Sequence, residues 1–239
     1  MSLLLYIFVR KDKDMDFKRF YNRLHNIIRH PLNEWEIISG EQCDERLLFR
    51  EYVLPLIILV SVTRLAGLLI NYRFYNPSWL QLLVDPALIF ASCFLFFTIS
   101  VFTVFALMQI YAANGSFKSA LVLTSYSLSV FFIASSIANL LPELYVFLVF
   151  GLYGFYLFYT GTLRMVDITG KEQLALLKSG SSFSIKNDLT SLLRNRVVQF
   201  TGLCCFIMLL AYFALSVLYN FTINMFSVGY QAINTLLVD

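Results

Sequence analysis

The stretch LHNIIRHPLNEWEIISGE, residues 24–41, holds both histidines of the chain and three of its glutamates. Histidine and glutamate are the side chains of acid–base catalysis and of metal binding. His25 and His30 lie five residues apart. That is about 500° around a helix, so they do not share a face. No His-Glu-x-x-His pattern is present, and that is the spacing that would put two ligands and a base together. The stretch therefore reads as solvated structure at a membrane surface, not as a catalytic or metal centre. The cysteines add no metal set. Cys43, Cys93, Cys204 and Cys205 match no ligand spacing, and three of them sit in apolar runs, where a thiol packs as a small apolar group. No cofactor is expected.

The other candidates are charges set in apolar surroundings. Arg64 interrupts YVLPLIILVSVTRLAGLLI, residues 52–70. A charged side chain at mid-membrane costs about 2.5–3.5 kcal/mol on insertion scales, so Arg64 must snorkel or find a carboxylate. Asp85 precedes Pro86 at the start of the next apolar run, and Glu143 follows Pro142. Asp85 also suits a helix cap, with Pro86 in the first turn. Arg64, Asp85 and Glu143 are expected near one membrane surface, as a structural ion-pair cluster first and a ligand or ion site second.

The elements that place these residues follow from composition. Hydrophobic residues make up 59% of the 239 and charged residues 14%, whereas soluble domains are nearer half and a quarter. An all-α, polytopic membrane protein is the expected class. Spans are expected at about 52–70, 82–113, 119–140, 144–163 and 197–221, each near the roughly 20 residues that a bilayer core demands. Residues 1–15 read as a disordered tail, with Met15 an alternative start, 165–196 as a cytoplasmic loop and 224–239 as an external tail. Within that loop DLTSLLRNR, 188–196, reads as a short interfacial helix. No internal repeat stands out, so 16–223 form one membrane domain. Basic residues orient it. Nine lie in residues 1–50, six between spans four and five, and Lys118 between spans two and three, against Arg73 alone on the opposite side. The N-terminus is therefore expected in the cytoplasm and the C-terminus outside.

Ahead of the first span, Phe17, Phe20, Tyr21, Leu24, Ile27 and Ile28 fall on one helical face. Lys18, Arg19, Arg23 and Arg29 occupy the others. This pattern predicts an amphipathic interfacial helix ending at His30, before Pro31. The four basic residues would meet anionic lipid on the cytoplasmic leaflet, and Trp35 would sit in the headgroup layer. In span three Ser125, Ser129, Ser136 and Asn139 recur at helical spacing, and span four carries Gly151, Gly154 and Gly161. Small residues let helices approach closely in lipid, and hydroxyls or an amide can bond across. These positions are expected to pack spans three and four.

IIRHPLNEWEIISGE ahead of a first span resembles the segment that leads into the membrane domain of the Yip (Ypt-interacting protein) family. SALVLTSYSLSVFFIASSIANLLPEL, 119–144, is similar to that family's third span, with Tyr126, Ser127 and a closing Pro142. GLYGFYLFYTGTLRM, 151–165, looks like its aromatic-glycine fourth span. The resemblance covers roughly 16–165 and the last span. It implies a five-span membrane domain without a defined chemistry, here of prokaryotic type and placed in the inner membrane. The expected function is non-enzymatic organisation of membrane lipid or partner proteins, with a homo-oligomer allowed and no nucleic acid. The alternative is a small-solute or ion transporter or channel. An intramembrane enzyme ranks last, since no span carries a Ser/His pair, paired carboxylates or a ligand set.

Overall fold

The computed structural model describes residues 17–41, 44–72, 78–111, 115–166 and 196–238. The expected tail 1–15 lies outside these residues, as do Cys43, Arg73 and nearly all of the 165–196 loop with its expected interfacial helix. Helices make up the described residues, which contain no strand. Two short helices come first, α1 (Phe17–Arg29) and α2 (Pro31–Gly40). They are separated at His30, where Pro31 opens the second. The first span is built from α3 (Glu45–Leu48), a π-helical turn (Phe49–Val53) and α4 (Leu54–Ile70). The remaining elements are α5 (Trp79–Ile110), α6 (Phe117–Leu140), a 3-10 helix (Pro142–Leu152) running into α7 (Tyr153–Met165), and α8 (Arg196–Val238).

Among the described residues, five segments are long and apolar enough to cross a membrane: Glu45–Ile70, Trp79–Ile110, Phe117–Leu140, Glu143–Met165 and Arg196–Phe226. Lipid offers the backbone no hydrogen-bond partners, so an unbroken helix satisfies each segment internally. Three boundaries differ from expectation. The second span starts at Trp79 because Ser78 caps it: its hydroxyl accepts from Gln81 N–H, and Gln81 Oε1 accepts from Ser78 N–H. Asp85 and Pro86 thus lie inside the helix, and Asp85 is not its cap. Residues 224–238 continue α8 instead of forming a separate tail. The first span is helical from Glu45, seven residues before the apolar run.

Proline accounts for the π turn. Pro55 has no N–H to return to Glu51, and its ring crowds that carbonyl. The ladder widens there, and Leu54 N–H bonds Phe49 C=O, five residues back. The 3-10 helix has a geometric consequence. It rises about 2.0 Å per residue, so its 11 residues and the 13 of α7 together span about 40 Å. It thereby outreaches α6, whose 24 residues rise about 36 Å.

At the centre stands α6, packed on the first span, α5, the 3-10 helix and α7. Close approach needs small residues. A Cβ on Gly67 would overlap the backbone carbonyl oxygen of Asn139, and one on Gly154 would lie 2.7 Å from Ser127 O. Asn71 ties the same crossing, its amide donating to Gly67 O at 3.0 Å and to Leu140 O at 3.4 Å. A backbone carbonyl cannot rotate aside as a side chain can. Gly67→Ala should therefore push α4 off α6 and cost about 1–3 kcal/mol by overpacking. Gly202, with nothing within 4 Å of a Cβ, is the matched control, where alanine should gain up to about 1 kcal/mol from lower chain entropy. Unfolding midpoints of both variants in one detergent decide it. A Gly67→Ala midpoint as high as that of Gly202→Ala would mean that the crossing is loose.

Candidate functional site

One end of the bundle holds a charged pair inside the apolar region. From α4, Arg64 reaches Asp85 on α5, with Nη2 at 2.8 Å and Nε at 3.1 Å from the same oxygen, Oδ2. The other oxygen, Oδ1, accepts from the hydroxyl of Tyr219 on α8. Asp85 is 4% exposed, so each carboxylate oxygen has a donor where water has little access. One turn before Arg64, Ser61 Oγ donates to the Pro86 carbonyl at 2.8 Å. The first two spans are thus pinned at two neighbouring points, and Tyr219 fastens the fifth to them.

The expected third member, Glu143, does not join. It lies exposed at the start of the 3-10 helix and pairs with neither Arg64 nor Asp85. The reason is geometric: the 3-10 segment packs on α6, away from the α4–α5 seam. Tyr219 takes its place.

Beside the pair lies a cavity of about 220 Å³. Arg64, Asn139, Tyr219 and Asn220 contribute polar groups to its wall. Its inner end is closed by three rings. Phe96 and Phe131 have centroids 5.3 Å apart, Phe131 and Tyr212 5.2 Å, and Phe96 and Tyr212 5.9 Å. Beyond those rings is a second cavity of about 90 Å³, walled mainly by apolar side chains.

At the opposite end, α1 and α2 fold back on each other and dock on the bundle. Trp35 is fully buried. Its indole lies 2.6 Å from where a Cβ on Gly161 would stand, with Leu123 beside it, and its ring meets Tyr126 edge-on at 6.0 Å. The expectation of Trp35 in the headgroup layer is therefore corrected. Glycine at 161 opens a notch in α7, and the indole fills it. Arg23 is corrected likewise. It is mostly buried, and it bonds Glu34 at 2.7 Å and also Glu41, instead of facing lipid. Burial opposes its charge, and the bonds to Glu41 and Glu34 outweigh that, so the guanidinium holds its proton more firmly than a free arginine. Phe20, Leu24 and Ile27, from the expected lipid face of α1, pack on the protein core. Arg29 is exposed, and Lys18 and Arg19 lie on α1. The two histidines are exposed on α1 and at the helix break.

Three serines of α6 donate within their own helix: Ser125, Ser129 and Ser136, to the carbonyls of Leu121, Tyr126 and Phe132 at 2.7, 2.6 and 2.8 Å. Such back-bonding satisfies a hydroxyl where no partner helix offers an acceptor. Gly154 does meet α6, Gly151 faces Phe131, and Gly161 meets both Leu123 and Trp35. The Asn139 carbonyl meets the first span at Gly67, not span four. Gly67 carried a readable signal, being a small residue in an apolar span. Tyr219 carried none, as one of 14 tyrosines in the chain.

Comparison with family models, curated proteins and solved structures finds no match to this chain.

Proposed function

We propose that this is a non-enzymatic integral membrane protein, Yip-like in organisation, that gathers anionic lipid at one end of its bundle. The observation behind this reading is a rim where four exposed arginines stand among the exposed acids Glu36, Glu41, Asp44 and Glu45. The alternation of the spans puts Arg46, Arg164 and Arg196 at the same end, all exposed, and Arg29 on α1 is exposed as well. Exposed apolar side chains adjoin them, among them Tyr21, Leu32, Ile37 and Leu47. Apolar anchors beside cations suit a headgroup boundary, and each basic residue near an anionic leaflet contributes about 1 kcal/mol. By the positive-inside rule this rim faces the cytoplasm, in a prokaryotic inner membrane. The hairpin of α1 and α2 holds Arg29 to the bundle through Trp35 and Arg23, so the attraction is tied to the spans.

The test uses the full chain captured into nanodiscs from mixed phosphatidylcholine and phosphatidylglycerol. Retained lipid should be enriched in phosphatidylglycerol. The variant Arg29→Gln/Arg46→Gln/Arg164→Gln/Arg196→Gln should lose most of that enrichment. Equal lipid ratios for the two proteins would overturn the reading. The second reading, a path for a small solute, draws on the cavity beside Arg64. Uptake by liposomes holding only this protein would favour it.

A further inference from the structure

The two cavities share four wall residues, Phe96, Phe131, Leu148 and Tyr212, and follow one another along the bundle. Their chemistry changes at those rings. On the outer side the walls carry Arg64, Asn139 and Tyr219, and on the inner side Leu128, Phe155, Met208 and Leu209. Together they make a slot that is polar at its mouth and apolar at its depth.

Two details point to an occupant. Arg64 lines the outer cavity, whereas Asp85 does not, and no acidic side chain does among the described residues. The carboxylate stands behind its guanidinium, so the cavity sees the cation. Nε and Nη2 both bond one oxygen of Asp85, which leaves Nη1 outside that pair. Ser127 lines the inner cavity, and its buried Oγ has no hydrogen-bond partner among the described residues. As to size, an apolar cavity of about 150 Å³ holds benzene, so the outer chamber of about 220 Å³ takes a body larger than one ring.

We propose that the slot binds a single-chain amphiphile with an anionic head. A carboxylate or phosphate accepts from Arg64 Nη1 and the Asn139 amide. The hydrocarbon lies against Phe96, Phe131 and Tyr212, and its end reaches the inner cavity when the Tyr212 ring turns. Charge-assisted bonds of this kind are stronger than neutral ones, and a chain excludes water from the rings. The slot and the arginine rim are at opposite ends of the bundle, so the rim variant should bind the amphiphile as the unaltered protein does.

The experiment measures radiolabelled decanoate on the full chain in amphipol. Saturable binding of one decanoate per chain is expected, competed by unlabelled decanoate. Acetate and inorganic phosphate, which lack a chain, should compete poorly. Decanol, which lacks the charge, should compete about tenfold or more weakly. The double variant Arg64→Gln/Asp85→Asn removes both charges without stranding either and should weaken binding by a similar factor. Ala138→Phe fills the outer cavity from α6, and Ser216→Phe fills it from the half-exposed side of α8. Both should abolish binding. Competition by acetate or phosphate equal to that of decanoate would make this a site for soluble anions, and equal competition by decanol would mean that the head is not read. Unchanged binding in whichever filled variants retain the native unfolding transition would place decanoate on the outer apolar belt. Each of these three results overturns the proposal.

Discussion

Arg64→Leu and Asp85→Asn should each cost about 3–5 kcal/mol of stability in detergent, and the double change should cost less than their sum. The pair sits where neither charge is well solvated, with the Asp85 side chain only 5% exposed. Removing Arg64 leaves Asp85 with the Tyr219 hydroxyl alone. Neutralising Asp85 leaves a guanidinium that cannot give up its proton and must bend toward the membrane surface. Removing both leaves two uncharged side chains and no stranded charge. Tyr219→Phe should cost less, about 1–3 kcal/mol, because it deprives one carboxylate oxygen of a donor but leaves the ion pair. Unfolding midpoints of the four variants close the cycle. Strict additivity of the two single losses would mean that the charges do not interact, and an unchanged Tyr219→Phe protein would detach the fifth span from the pair.

Trp35→Ala should be as damaging, at about 3–5 kcal/mol, the range for large-to-small changes in a core. The indole fills the notch at Gly161 and touches Leu123 and Tyr126. Without it α2 loses its main hold on α7, and the Arg23 pairs with Glu34 and Glu41 remain as the polar part of the clasp. Trp35→Phe separates packing from hydrogen bonding. The indole N–H has no partner among the described residues, so phenylalanine forfeits volume but no hydrogen bond and should cost less than the alanine change. A tryptophan lodged among headgroups would behave otherwise. Its alanine variant would stay within about 0.5 kcal/mol, as surface changes do, and that result would return Trp35 to the membrane surface.

The amino-acid sequence alone determined the class, the number of spans and the break at His30. These depend on quantities that run along the chain: apolar length, Pro31, and charges gathered in connecting segments. Arg64 and Asp85 were legible for the same reason, as lone charges in or beside apolar runs near one end. What the sequence could not say is which way each helix turns. A span that is apolar on all sides carries no clear 3.6-residue stripe, so rotation about its axis is set by side chains meeting across helices. Only the tertiary structure decided that Tyr219, 134 residues from Asp85, completes the charged site and that Glu143 does not. Trp35 shows the same limit from the other side. An amphipathic aromatic suits a headgroup layer as well as a glycine notch, and the choice falls to the notch because Gly161 and Leu123 come together only once α6 and α7 are packed. The two cavities belong to no single segment. They exist because five helices of fixed backbone width leave space where Phe96, Phe131 and Tyr212 stand between polar and apolar walls.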